Sequence, residues 1–233
     1  MGGSVAAVVL YNRVLSASER RQVQNYLAAR YGWAVGNVAC LGDSITQGTN
    51  IARPYPTSLA SRLGAMWRVQ NFGANGARID VGGTDVNDVQ WLHSTAGARR
   101  RAFNFIVVNV GINDIRNDYT ATSAYADLQT IYNSVLADPD NRLIACTVTP
   151  FKGDSGFTAG RKAERVALNN SIRSFVAANA NSYLVDLATI LSDPVDRQQY
   201  WPVYDLDHLH PNQIGADAIA AAVADRVMTV GLV

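Results

Sequence analysis

Five short apolar runs, each followed by a stretch with helical spacing, organise the chain from Asn37 onward. The runs are Asn37–Leu41, Arg68–Phe72, Phe103–Val110, Leu143–Val148 and Tyr183–Leu187. Short β-rich runs bounded by turn residues suit strands buried on both faces, which requires a mostly parallel sheet covered by helices on either side. The covering helices are expected near Pro56–Met66, Asp85–His93, Ser123–Ala137, Ala159–Asn179 and Pro211–Val227, the last with Pro211 in its first turn. An α/β fold with right-handed crossovers follows, and a site on such a sheet lies beyond the carboxyl ends of its strands.

Composition narrows the function. The 233 residues are 48% hydrophobic and 17% charged, which excludes a disordered or membrane-embedded chain. Twenty basic against nineteen acidic residues leave a net charge of +1, too little to grip a phosphate backbone, so no nucleic-acid partner is expected. Only Lys152 and Lys162 are lysines; the arginine bias points to GC-rich coding and a bacterial source. Cys40 and Cys146 sit inside apolar runs and read as buried free thiols. Val5–Leu10 is too short for a signal core or a membrane span, so no membrane partner is expected. The compartment stays open, with secretion or a periplasmic location in a bacterium as one expectation.

Chemistry gathers where the runs end. Gly42-Asp43-Ser44 follows the first run, where a strand-to-helix turn would expose the Ser44 hydroxyl as a nucleophile; a helix-capping serine would look the same. A serine nucleophile needs a base, and His93, His208 and His210 are the only histidines. Asp207 and His210 stand three residues apart just before Pro211, close enough for a carboxylate to orient an imidazole. Asp205 and His208 share that spacing and compete; the fixed backbone at Pro211 favours the Asp207–His210 pair. His93 closes a predicted helix and reads as surface or dipole compensation. Asn113, after the third run, offers a side-chain amide, and the loop Asn71–Gly76, after the second, offers backbone N–H groups to an oxyanion. Each motif alone is most often a plain turn, but four of them at strand ends form a constellation.

Together these blocks resemble the SGNH hydrolases, or GDSL-type esterases, over about residues 37–230: Gly42-Asp43-Ser44, Asn71-x-Gly73-x-x-Gly76, Gly111-x-Asn113-Asp114 and Asp207-x-x-His210-Pro211. The resemblance implies a flavodoxin-like α/β/α sandwich of about five parallel strands, with Ser44 as nucleophile, His210 as base and Asp207 as orienter. It also implies an oxyanion hole made of the Ser44 and Gly76 backbone N–H groups and the Asn113 side chain, the second glycine of its block being the usual donor. Asp43 and Asp114 are expected to brace the turns holding Ser44 and Asn113. No metal or organic cofactor is required. Ile112 departs from the small residue common at its position and is expected to bear on the acyl pocket.

Residues 1–34 read as an N-terminal extension to a hydrolase domain spanning 35–233. Val5–Tyr11 looks like a strand, and Ser16 with Glu19 has capping-box spacing ahead of a helix that Gly32 can end. The stretch resembles the last strand and helix of concanavalin A-like, laminin G-type lectin domains; the alternative is a strand and helix packed on the hydrolase. An orphaned apolar strand needs a partner edge, which makes a homo-oligomer through this extension an expectation.

A lectin-like remnant favours a carbohydrate O-deacetylase acting through an acyl-enzyme. The alternatives are a general short-chain carboxylesterase or arylesterase, a lysophospholipase or thioesterase, and, from another class, an inactive carbohydrate-binding module. The expected partner is a small-molecule or carbohydrate ester. Arg99-Arg100-Arg101 reads as a solvated loop, Val81–Asp88 lacks the full calcium ligand series, and Tyr200–Tyr204 suits substrate stacking or core packing equally.

Overall fold

The structure, a computed structural model, describes residues 8–15, 36–79 and 103–230, together with Glu19, Val23, Tyr26, Leu27, Arg30 and Tyr31. The expected helix near Asp85–His93, with His93 itself, the arginines 99–101 and the segment 81–88 lie outside the described residues.

Five strands form one sheet: β1 (Gly36–Gly42), β2 (Trp67–Gly73), β3 (Phe105–Asn109), β4 (Arg142–Cys146) and β5 (Ser182–Val185). Their order is β2-β1-β3-β4-β5 and every pairing is parallel. All five residues of β3 are buried, as a central strand between two helical layers requires. The pleat divides the apolar residues between two cores. Ala39, Leu41, Ile106, Val108, Leu143 and Ala145 face one, and Val38, Cys40, Phe105, Val107, Ile144 and Cys146 the other. Each large side chain so buried contributes about 1.5–3 kcal/mol.

Within residues 36–79 and 103–230 the helices are α1 (Ser44–Gln47), α2 (Tyr55–Leu63), α3 (Ile112–Arg116), α4 (Ala121–Leu136), α5 (Ala159–Ala178), α6 (Leu187–Ile190) and α7 (Gln213–Val230). Leu128, Ile131, Tyr132 and Val135 of α4 and Leu168, Ile172 and Phe175 of α5 cover the first core. Leu59 of α2 and Ile219, Ala220, Val223 and Val227 of α7 cover the second. Thr120 and Thr158 start α4 and α5 by accepting the Ser123 and Arg161 N–H groups.

One expectation needs correction. Pro211 is not in the first turn of the last helix: Asn212 accepts the Gly215 N–H at 3.0 Å through its side chain, so α7 opens at Gln213. Pro211 instead bridges back to Asp205. The short helices α1, α3 and α6 also escape a reading by periodicity, because four or five residues cannot display a helical repeat.

Of the N-terminal extension, Val8–Tyr11 carry no strand among the described residues, whereas Glu19, Val23, Tyr26, Leu27, Arg30 and Tyr31 are helical as expected. Among the described residues no helix is long and apolar enough to cross a membrane.

Candidate active site

Sheet register levels the three turns that carry the site. Gly42, the last residue of β1, pairs with Gly73 of β2 on one side and Asn109 of β3 on the other, so the chain leaves all three strands at one height. Both glycines are needed for the packing of α1 over these ends. A Cβ on Gly42 would lie 2.1 Å from the Thr46 hydroxyl oxygen, and one on Gly73 2.1 Å from the Gln47 backbone nitrogen.

Asp43 caps α1: its carboxylate accepts the Ile45 N–H at 2.9 Å. The cap is therefore Asp43, and Ser44 stands inside the first turn. Its hydroxyl oxygen is 2.9 Å from Nε2 of His210. On the other side of the ring, Nδ1 of His210 is 2.9 and 3.2 Å from the two carboxylate oxygens of Asp207. A carboxylate can only accept, so Nδ1 carries the ring hydrogen and Nε2 is left to accept from Ser44.

Asp207 is itself held by the turn. Oδ1 accepts the backbone N–H groups of Leu209 at 3.1 Å and His210 at 2.7 Å. Burial pulls its pKa upward, but the hydrogen bonds from the His210 ring and these N–H groups outweigh it and keep the carboxyl below its ordinary range.

The competing pair also forms, and faces elsewhere. His208 Nδ1 lies 2.6 Å from Asp205, with 58% of the side chain exposed, against 13% for His210. A left-handed backbone at His208, φ 68°, lets successive histidines of the tight loop point apart. The His208 ring packs on Gly153, where a Cβ would come within 2.7 Å of it.

The amide of Asn113 is buried at the start of α3 and donates to the Ala77 carbonyl at 3.0 Å, leaving its second hydrogen uncommitted among the described residues. Asp114 accepts the Ile79 N–H with both oxygens, at 3.0 and 3.2 Å. These two contacts bind the glycine loop to α3, with Asp114 holding the neighbouring loop at Ile79. Gly76 has φ 75° and open space where a Cβ would stand. Among the described residues, neither the Ser44 nor the Gly76 backbone N–H donates to another backbone group.

A model of the GDSL-like lipase/acylhydrolase family matches residues 40–218. The chain belongs to this family. It is an ester hydrolase by that membership. No curated protein matches its sequence. Among solved structures, a carbohydrate acetylesterase from Sinorhizobium meliloti superposes with a TM-score of 0.68 at 15% identity, covering 84% of this chain and 100% of the other. An aryl esterase from M. smegmatis gives 0.68 at 15% identity with the same coverages. A putative arylesterase from Agrobacterium tumefaciens gives 0.64 at 20% identity, again covering 84% and 100%. At these identities the likeness is one of fold, and the fold is the SGNH hydrolase sandwich.

In this GDSL-family hydrolase two buried carboxyls flank the turns. Burial raises Asp43 to about 7, with the charge of Asp114 adding to the rise against the Ile45 hydrogen bond. Burial likewise lifts Asp114 to about 6 against the hydrogen bond from Ile79. Ile112, expected to bear on the acyl pocket, is 2% exposed and packs in the first core.

Tyr200 and Asn212 escaped the sequence reading as supports. The buried Tyr200 donates its hydroxyl to the Leu209 carbonyl at 3.2 Å, next to His210. Asn212 donates to the Val203 and Asp205 carbonyls while capping α7. A capping asparagine three residues before Gly215 was the available signal for the second; nothing local marks the first. Of the aromatic segment, Tyr200 belongs to the core, Tyr204 packs against it, and Trp201 stands 45% exposed, edge-on to Tyr204.

Proposed function

We propose that the protein is a serine esterase that hydrolyses short-chain carboxylic esters through an acyl-enzyme, with Ser44 as nucleophile, His210 as general base and Asp207 as its orienter. The observation that carries this reading is the continuous relay from Ser44 Oγ to His210 Nε2 at 2.9 Å and from His210 Nδ1 to Asp207 at 2.9 Å. Nε2 takes the hydroxyl proton as Oγ attacks the ester carbonyl. The oxyanion that forms is received by the Ser44 and Gly76 N–H groups and the second hydrogen of the Asn113 amide. The imidazolium, stabilised by Asp207, returns its proton to the departing alcohol. Water then enters, gives a proton to Nε2 and attacks the acyl-enzyme carbonyl; as the bond from the acyl carbon to Ser44 Oγ breaks, His210 returns that proton to Oγ and the carboxylic acid leaves.

A carbohydrate O-deacetylase is the substrate reading we favour. It is supported by the lectin-like character of the N-terminal sequence and by the Sinorhizobium meliloti carbohydrate acetylesterase among the fold neighbours. An arylesterase is the second reading, favoured by the two aryl esterase neighbours.

Hydrolysis of p-nitrophenyl acetate, butyrate, octanoate and palmitate, with Ser44→Ala as the blank, tests the chemistry; acetate release from acetylated xylan against an aryl acetate tests the alcohol. Activity confined to acetate together with release from xylan supports the deacetylase. Aryl ester turnover with no release from xylan rejects it. Equal turnover by Ser44→Ala rejects the serine mechanism altogether.

A further inference from the structure

A cavity of about 330 Å³, lined by none of the residues assigned to the active site, opens between α5, α6 and residues 197–198, and three arginines line it. We propose that it binds a small tetrahedral dianion of the phosphate or sulfate type.

Arg165 carries the argument. It is 2% exposed, yet its guanidinium meets only neutral acceptors: the Val148 carbonyl at 3.2 Å, the Arg197 carbonyl at 3.3 Å and the Gln198 side-chain oxygen at 2.8 Å. Its Nε is buried and has no partner. A buried cation whose hydrogen-bond acceptors are all neutral is under-compensated, and a counter-charge in the adjoining space relieves it. Burial draws the Arg165 pKa down only to about 10, so the group stays cationic at neutral pH.

Asp186, whose charge is felt at Arg165, makes no hydrogen bond to it and is bound to Arg173 of the same lining. Arg173 holds it in a two-pronged pair at 3.0 and 3.1 Å and spends another N–H on Asn170. Arg197 uses one terminal nitrogen on the Ser192 hydroxyl at 3.2 Å and the Thr189 carbonyl at 3.5 Å, which leaves its Nε and other terminal nitrogen for a ligand. The Gln198 amide nitrogen is a further donor, its oxygen being fixed by Arg165. Three arginines less Asp186 leave a formal +2 around the cavity, matching a dianion rather than a neutral sugar or an acyl chain. The volume is at the small end for ligand sites, in keeping with an inorganic-sized guest.

The test is calorimetric titration and thermal unfolding of the full chain with inorganic phosphate, and separately sulfate, against chloride at matched ionic strength. One saturable site in the millimolar range or tighter is expected, with affinity falling about tenfold or more in Arg197→Gln. No saturable response up to about 20 mM overturns the proposal, as does unchanged affinity in Arg197→Gln. Arg197 is chosen because it is not the buried strut, so the variant keeps its fold. The readout is independent of Ser44 and stands apart from the esterase assignment.

Discussion

Ser44 Oγ and His210 Nε2 lie 2.9 Å apart although 166 residues separate them in the chain. Neither reaches the other by local structure. Ser44 is delivered by the first turn after β1 and His210 by a loop laced to α7 through Asn212, and the two meet over the carboxyl ends of the sheet. The consequences of that meeting can be measured.

Replacing the proposed nucleophile is the most direct challenge. Ser44→Ala is expected to lower kcat by about 10⁴-fold or more while leaving the circular dichroism spectrum unchanged, since the capping carboxylate of Asp43 survives. A serine-reactive phosphonate should label the wild type and leave the variant unlabelled.

The two histidines of the loop separate cleanly. His210→Ala should lose about 10³-fold or more in kcat/KM, whereas His208→Ala, whose ring faces solvent and Gly153, should change it less than about tenfold. Parallel kinetics on p-nitrophenyl acetate decide the matter; comparable losses in both variants would contradict the assignment of Asp207 and His210.

Asn113 is expected to act in the transition state rather than in binding. Asn113→Ala should reduce kcat by about 10²–10³-fold with a small effect on KM. Because the amide also donates to Ala77, a loss of melting temperature is expected alongside, and Asn113→Asp, which cannot donate as a carboxylate, separates the donor from the packing.

The buried Asp43 predicts a pH dependence of stability. Its folded pKa of about 7 stands above the ordinary carboxyl value of 3.8, so between those values the folded chain binds more protons than the unfolded one. Stability conferred by Asp43 is therefore greatest below about pH 4 and declines as pH rises to about 7, a loss on the order of 2–4 kcal/mol. Asp114, raised to about 6, adds in the same direction. Asp43→Asn keeps a capping oxygen and removes the titration, so denaturant unfolding from pH 4 to 8 should show a flatter profile in the variant.

Gly73→Ala tests the levelling of the strand ends. The added Cβ would stand 2.1 Å from the Gln47 nitrogen, a backbone atom at the end of α1. Displacing α1 should destabilise the protein by about 1–3 kcal/mol and lower kcat more than the stability loss accounts for, measured on the fraction still folded.

Much of this molecule is written locally in its sequence. Strands announce themselves because a central run such as Phe105–Val108 must be apolar on both faces, and the long helices because their buried residues recur at helical spacing. The site blocks are legible for the same reason: each is a turn whose chemistry is complete within about six residues.

What the sequence left open is whatever depends on direction in space. Asp205–His208 and Asp207–His210 have identical spacing, and both pairs form; only the left-handed backbone at His208 and the hold of Tyr200 on Leu209 turn one imidazole outward and the other onto Ser44. That Ile112 is buried in the first core is also not legible from its position beside Asn113. The arginine-lined cavity is likewise invisible in one dimension, since Arg165, Arg173 and Arg197 come from a helix and a distant loop. Periodicity and capping are properties of neighbours along the chain, whereas the partner of a side chain is settled by sheet register and helix packing, which the sequence determines only through the whole fold.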